Sequence, residues 1–92
     1  MQTLTYFFFE GCPYCTAADR WIKAVVSARP ELGEVPIIKI DERKQPEIAN
    51  QYDYYYVPTF YLGKEKLHEG AATRQKIEAV LSRALEAAAQ VG

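Results

Sequence analysis

Residues 7–15 read FFFEGCPYC, and this segment joins a short apolar run to a run of helix-forming residues. The apolar run predicts a buried strand, which ends at Glu10-Gly11. Cys12 occupies the position of a helix N-cap, Pro13 suits the first helical position, and Cys15 lies one turn further on. The segment therefore predicts a strand that is followed directly by a helix, with two cysteines at the junction.

The position of these two cysteines favours redox chemistry. The N–H groups at the start of a helix are unpaired and carry a partial positive charge, which favours a thiolate at Cys12. The thiolate is the form of cysteine that attacks disulfides. Cys15 is close enough to form a disulfide with Cys12, so that one residue can attack a substrate and the other can resolve the mixed disulfide. We expect a redox-active CXXC pair in which Cys12 reacts first and Cys15 is shielded.

Composition indicates one small globular domain that spans residues 1–92. Hydrophobic residues make up 49% of the chain and charged residues 25%, and the formal net charge is -1. This balance gives no indication of a nucleic-acid partner, and no apolar run is long enough to cross a membrane. The first residues lack the pattern of a signal peptide. We therefore expect a cytoplasmic monomer, in a compartment where stable structural disulfides are rare.

The hydrophobic pattern predicts four strands and three helices. The strands are expected at residues 3–9, 36–41, 57–62 and 65–69. One helix is expected at residues 13–29, a short one from Pro46, and the last from a cap at Thr73, with an apolar face that extends to Ala88. The order βαβαββα requires a right-handed crossover between the first two, parallel strands. The expected architecture is an α/β fold with a four-stranded mixed sheet between helices.

This order, with CXXC after the first strand, is similar to the thioredoxin fold. The CPYC sequence at residues 12–15 resembles the active site of dithiol glutaredoxins. The sequence VPT at residues 57–59 resembles the thioredoxin-family segment whose proline is cis and faces the active-site cysteines. The alternative for Pro58 is an ordinary proline at a strand edge. The resemblance implies catalytic roles for Cys12, Cys15 and Pro58. The substrate-binding residues that it implies adjoin the two motifs and are Pro13, Tyr14, Tyr56, Val57 and Thr59.

The chain also departs from both families. Glutaredoxins usually carry two glycines and an acidic residue after the fourth strand, where glutathione binds, whereas residues 70–73 read GAAT. Most thioredoxins have a tryptophan before the first cysteine and a buried aspartate in the preceding strand. Here Gly11 stands before Cys12, and residues 4–9 include no carboxylate. The chain thus combines a glutaredoxin active site with a thioredoxin-like second half.

The expected function is the reduction of protein or small-molecule disulfides, as part of electron transport and cell redox homeostasis. The cycle requires no bound cofactor, and its electron donor is glutathione or a reductase of the thioredoxin-reductase type. Two alternatives stay open. One is a glutathione-dependent glutaredoxin proper. The other is a protein that holds an iron–sulfur cluster or metal between two chains through Cys12, since one chain offers only two cysteines and a distant His68.

Charged residues near the two motifs have more than one interpretation. Glu10 is either a proton acceptor for Cys15 or an exposed acid of the loop. Arg43, Lys44 and Gln45 follow the second strand, where glutaredoxins place a residue that contacts the carboxylate of glutathione. The alternative for these three residues is a solvated, basic start of the second helix.

Overall fold

The computed structural model describes residues 3–90, and its elements follow the predicted order. The strands and helices are β1 (Leu4–Phe8), α1 (Pro13–Ala28), β2 (Ile37–Asp41), α2 (Pro46–Ala49), β3 (Thr59–Leu62), β4 (Glu65–Glu69) and α3 (Arg74–Gln90). A 3-10 helix at Pro30–Glu34 lies between α1 and β2. Within residues 3–90, no helix combines the length and the apolar composition that a membrane span requires.

The four strands form one mixed sheet in the order β2-β1-β3-β4. β1 runs parallel to β2, with Leu4 opposite Ile37, and antiparallel to β3, with Phe7 opposite Thr59. β3 and β4 form the predicted antiparallel hairpin. The end of β1 and the start of β3 therefore meet at the same end of the sheet. This topology brings the segment after β1, which carries Cys12, and the segment before β3, which carries Pro58, to that end.

Alternation along β1 divides the core between the two faces of the sheet. Leu4 and Tyr6 face α1 and α3, while Phe7 faces α2. The larger core lies between the sheet and the two long helices. On the other face, Phe7 packs against a smaller group, and the rings of Tyr52 and Tyr54 lie 4.7 and 5.0 Å from its ring. The helices thus cover both faces of the sheet, as predicted.

The helix ends show how local chemistry sets the boundaries. α1 ends at Ala28, two residues before Pro30, because a residue that precedes proline is disfavoured in helical geometry. Thr73 caps α3 as predicted, since its hydroxyl accepts the N–H of Lys76 at 3.2 Å. On the predicted apolar face of α3, Ile77, Val80, Leu81 and Ala84 are buried and Leu85 is partly buried, while the side chain of Ala88 lies outside the described ones.

Several elements are shorter than the sequence predicts, and β1, for example, covers Leu4–Phe8 rather than residues 3–9. α2 is a single turn, Pro46–Ala49. β3 begins at Thr59 rather than at Val57. Pro58 has no N–H to donate to a neighbouring strand, so regular pairing starts after it.

Candidate active site

Cys12 lies at the N-cap of α1, as the sequence predicts. Gly11, with a φ of +90°, turns the chain from β1 into the helix in a conformation that suits glycine. The Sγ of Cys12 accepts the backbone N–H of Cys15 at 3.2 Å, and Pro13 occupies the first turn. One of the unpaired donors at the helix start therefore points at the sulfur, where it stabilises negative charge.

Both cysteines are free thiols, and they are almost equally buried, with exposed fractions of 3% for Cys12 and 2% for Cys15. Burial raises the pKa of Cys15 to about 12; the hydrogen bond with the Cys12 side chain and the charges of Cys12 and Asp19 add to it, while the Phe9 backbone opposes it. Cys15 thus stays protonated at neutral pH. Electrostatic environment, more than exposure, distinguishes the two thiols.

Tyr6, on β1, supports the start of α1 from the sheet. Its side chain is fully buried, and its hydroxyl donates to the carbonyl of Cys15 and to a carboxylate oxygen of Asp19, both at 3.0 Å. Burial and then the charge of Asp19 raise the pKa of Tyr6 far above its ordinary value, so the hydroxyl remains a donor. Lys39 on β2 pairs with the same carboxylate at 3.4 Å.

The role of Tyr6 could not be found from the CXXC motif. The available signal was weak: a tyrosine at an inward position of β1, and an aspartate one turn beyond Cys15 on α1. The sequence correctly indicates that β1 carries no carboxylate. In the structure, burial and Cys12 raise the pKa of Cys15, and the charge of Asp19 on the helix adds a smaller contribution.

Asp41, at the end of β2, fixes the loop that precedes Cys12. It is buried, with an exposed fraction of 8%. One carboxylate oxygen accepts the N–H of Glu10 at 3.2 Å, and the other accepts those of Arg43 at 2.9 Å and Lys44 at 3.3 Å. Burial raises the pKa of Asp41, but these donated N–H groups outweigh it and lower the pKa. Sequence reasoning missed this residue, whose signal was an acid at the end of an apolar strand.

The charged residues of the neighbouring loops pair with one another. Glu10 is exposed, and its carboxylate lies 3.0 Å from the Nζ of Lys44. The guanidinium of Arg43 stacks on Phe9, 3.8 Å from the centre of the ring. The interpretation of Glu10 as an exposed acid of the loop is therefore confirmed. Arg43 and Lys44 both contact the segment that leads into Cys12.

The segment with Pro58 lies at the same end of the sheet. The Val57–Pro58 peptide bond is cis, as the resemblance predicts. Pro58 is buried, and its carbonyl accepts the N–H of Gly70 at 2.8 Å. Thr59 is also buried, and its hydroxyl donates to the carbonyl of Tyr56.

The predicted substrate-binding residues differ in exposure. Pro13, Tyr14 and Tyr56 are at the surface, with exposed fractions of 61% for Tyr14 and 69% for Tyr56. Val57 is half-buried against the smaller core, and Thr59 is buried. Exposed aromatic rings therefore adjoin both motifs, and the substrate-binding roles stay predictions.

Among the side chains that the structure describes, no three His, Cys, Asp or Glu residues lie close enough together to hold a metal ion. His68 is half-buried on β4, where its Nε2 lies 2.9 Å from the carbonyl of Gly70.

Comparisons with known proteins agree with this geometry. The family model for thioredoxin matches residues 1–87. A thioredoxin from Methanocaldococcus jannaschii is 33% identical over 73 residues, which cover 78% of this chain and 84% of that protein. An uncharacterized thioredoxin-like protein from Clostridium perfringens has a TM-score of 0.64 at 29% identity, over 90% of this chain and 70% of that one.

A malarial protein has a similar fold, with a TM-score of 0.65 at 18% identity over 90% of this chain and 96% of that chain. The family model covers nearly the whole chain, and the CXXC pair lies at the start of the first helix. Thioredoxin-family membership indicates a redox enzyme in general. On the fold, the cysteine pair and the sequence relatives together, this chain belongs to the thioredoxin family.

Proposed function

We propose that this protein is a thiol–disulfide oxidoreductase that reduces protein or small-molecule disulfides through a Cys12/Cys15 dithiol–disulfide cycle. The observation that carries the proposal is the hydrogen bond from the Cys15 N–H to the Cys12 sulfur, at 3.2 Å. Through this bond, the N-terminal end of α1 faces the sulfur of Cys12, and both cysteines are reduced. Membership of the thioredoxin family supports the same class of chemistry.

The first step is the attack of Cys12 on the substrate. The Cys12 thiolate forms a bond to one sulfur of the substrate disulfide, and the substrate S–S bond breaks. The second substrate sulfur leaves as a thiolate and takes a proton from solvent. The product is a mixed disulfide between Cys12 and the substrate. The N–H of Cys15 stabilises negative charge on the Cys12 sulfur before the attack. It does so again when Cys15 later attacks the Cys12 sulfur of the mixed disulfide.

The second step is resolution by Cys15, which must first lose its proton. Part of the rise in the pKa of Cys15 comes from the hydrogen bond with Cys12 and from the charge of Cys12. Both contributions disappear when Cys12 is held in the mixed disulfide, so the first step makes Cys15 easier to deprotonate. The Cys15 sulfur then bonds to the Cys12 sulfur, and the disulfide bond between Cys12 and the substrate breaks. The substrate sulfur leaves as a thiolate and takes a proton from solvent, so both substrate sulfurs are reduced. Two electrons pass to the substrate, and the enzyme pair becomes a disulfide.

An external reductant must then restore the dithiol. We favour a reductase of the thioredoxin-reductase type, in a reducing compartment such as the cytoplasm, over glutathione. The GAAT sequence at residues 70–73 lacks the second glycine and the acid that glutaredoxins use for glutathione. Lys44, after β2, is already paired with Glu10. We therefore expect weak use of glutathione that does not saturate at low concentration.

We expect a polypeptide substrate to bind in an extended form across the two motifs. The exposed rings of Tyr14 and Tyr56 offer apolar contact area, and the backbone of Val57 can pair with a substrate segment in the manner of an added strand. Such pairing would hold the target sulfur beside the Cys12 sulfur.

The decisive test is a reduction assay with a disulfide-bonded polypeptide and two alternative donor systems. One tube contains NADPH and thioredoxin reductase, and the other contains NADPH, glutathione and glutathione reductase. We expect faster turnover in the first tube and none with Cys12→Ser in either tube. Full activity of Cys12→Ser would overturn the proposal. Tight saturation with glutathione would instead assign the protein to the glutaredoxin type.

A further inference from the structure

An extra residue in β4 changes which side chains share a face of the sheet. Tyr61 pairs with Lys66, whereas the neighbouring Phe60 pairs with His68, so Leu67 has no partner across the ladder. This one-residue bulge reverses the alternation of side chains along β4. Lys66 and Glu69 therefore lie on the same face, and the Nζ of Lys66 is 2.7 Å from a carboxylate oxygen of Glu69.

The Lys66–Glu69 pair binds the backbone of residues 53–56. One carboxylate oxygen of Glu69 accepts the N–H of Tyr55 at 2.6 Å and that of Tyr56 at 3.0 Å. Lys66 donates to the carbonyl of Asp53 at 3.2 Å. We call this arrangement of Lys66 and Glu69 on the backbone of residues 53–56 the β4 clamp.

The clamp holds the stretch of this segment between Tyr54, which packs on Phe7, and the half-buried Val57. Residues 53–58 lie outside any helix or strand. The side chains of Tyr55 and Tyr56 are exposed by 86% and 69%, so they do not anchor the backbone by packing. The segment leads directly into Val57 and Pro58. The position of this segment therefore sets where Tyr56 and the Val57 backbone lie at the end of the sheet.

We propose that Glu69 is a positioning residue, which, together with Lys66, holds Tyr56 and the Val57 backbone in place to receive polypeptide disulfide substrates. This inference rests on the proposed oxidoreductase function. Glu69 itself takes no part in the exchange of sulfur. Its loss leaves two backbone N–H groups without their acceptor and Lys66 without its counter-ion, and the segment then samples other positions. Cys12, which is held by α1, is unaffected.

This reasoning separates two kinds of substrate. A polypeptide must pair with the 55–57 segment to present its disulfide, whereas a small aromatic disulfide such as dithiobis(nitrobenzoate) needs access only to the sulfur of Cys12. Loss of the clamp should therefore raise KM for the polypeptide and leave the reaction with the small disulfide unchanged.

The test compares Glu69→Ala with a matched control, Glu65→Ala. Glu65 lies on the same strand and forms an exposed ion pair with Arg83 at 3.2 Å, away from the clamped segment. For Glu69→Ala we expect kcat/KM with a disulfide-bonded polypeptide such as insulin to fall about tenfold, chiefly through KM. Activity with dithiobis(nitrobenzoate) should stay within about twofold. Glu65→Ala should match the unmodified protein on both substrates.

A second variant and a second measurement protect the test against a folding defect. Glu69→Gln keeps the volume of the side chain and an oxygen that can accept N–H groups, so it should retain part of the polypeptide activity. Amide hydrogen exchange at Tyr55 and Tyr56 should accelerate about tenfold in Glu69→Ala and stay unchanged in Glu65→Ala.

Several results would overturn the inference. Equal losses on both substrates would mean that Glu69 acts on the whole fold, and unchanged exchange at Tyr55 and Tyr56 would mean that it does not hold the segment. Unchanged polypeptide activity in Glu69→Ala, with an active parent protein, would reject this inference alone. A parent protein that reduces neither substrate would reject the proposed function, and the inference with it.

Discussion

The buried carboxylate of Asp41 accepts the backbone N–H of Glu10 at 3.2 Å, and this hydrogen bond ties the end of β2 to the loop that carries Cys12. The second oxygen of Asp41 accepts N–H groups from the turn that follows β2. One side chain therefore fixes two adjacent segments beside the cysteine pair. Asp41 therefore supports the start of α1 from the sheet, in addition to the capping residue Cys12.

Replacement of Asp41 by Asn should loosen this junction. Both oxygens of Asp41 accept N–H groups, and an amide must place its NH2 group against at least one of those donors. We expect a lower free energy of unfolding in urea and a lower turnover with disulfide substrates. Glu34→Gln, at an exposed position, is the control and should change neither quantity. Unaltered stability and turnover in Asp41→Asn would show that the junction holds without the carboxylate.

The two cysteines should differ in reactivity despite their similar burial. Burial, with the neighbouring sulfur and Asp19, raises the pKa of Cys15 to about 12, so its thiolate is scarce at neutral pH. The Cys12 sulfur accepts a hydrogen bond from the N–H of Cys15 at the start of the helix. Brief treatment with iodoacetamide at neutral pH, followed by mass mapping, should therefore label Cys12 first. Preferential labelling of Cys15 would reverse the assigned roles.

Substitution of Cys15 should stop the cycle after its first step. With Cys15→Ser, Cys12 can still attack a disulfide, but no thiol remains to resolve the product. We expect mixed disulfides to accumulate with polypeptide substrates and to be visible on non-reducing gels. Cys12→Ser, which lacks the attacking sulfur, should form none. Sustained turnover of glutathione mixed disulfides by Cys15→Ser would indicate a monothiol route and favour the glutaredoxin alternative.

The hydroxyl of Tyr6 should contribute to stability through its contacts with the Cys15 carbonyl and the Asp19 carboxylate. Tyr6→Phe removes the donor to the Cys15 carbonyl and to the Asp19 carboxylate, at a cost of about 1–2 kcal/mol in the free energy of unfolding. Tyr55→Phe is the matched control, because the side chain of Tyr55 is exposed by 86%. Urea denaturation of both variants checks the prediction. An equal effect in the two variants would contradict it.

The charge of Glu69 should make stability depend on acid pH. The hydrogen bond from Lys66, followed by those from the N–H groups of Tyr55 and Tyr56, lowers the pKa of Glu69 from 4.5 to about 2 against the opposing effect of burial. A depressed folded-state pKa stabilises the fold above the unfolded value, and this contribution is lost as pH falls from about 4.5 to about 2.

Glu69→Gln removes this titration. In urea unfolding at a series of pH values, the parent protein should be more stable than Glu69→Gln at neutral pH. The difference in the free energy of unfolding between the two proteins should disappear as pH falls from about 4.5 to about 2, because protonated Glu69 also lacks charge. A gap that persists unchanged down to about pH 2 would show that the charge of Glu69 does not stabilise the fold.

The order of elements and the position of the cysteine pair could be predicted because both depend on local chemistry. Apolar periodicity marks α3, Pro13 suits a first helical turn, and Thr73 can cap a helix whatever the rest of the chain does. The exact extents were less predictable, as for α2, which is a single turn. Short helices gain little from propensity alone, so tertiary packing sets their length.

By itself, the sequence determined the βαβαββα order, the thioredoxin-like motifs and the placement of Cys12 at a helix start. Only the tertiary structure decided which groups support that site. Asp41 meets Glu10 across 31 residues, Tyr6 meets Asp19 across 13, and Glu69 meets Tyr55 across 14. These contacts depend on strand register, and a single extra residue in β4 decides the face on which Glu69 lies. Register is set by the packing of whole strands against one another, so no local stretch of sequence contains it.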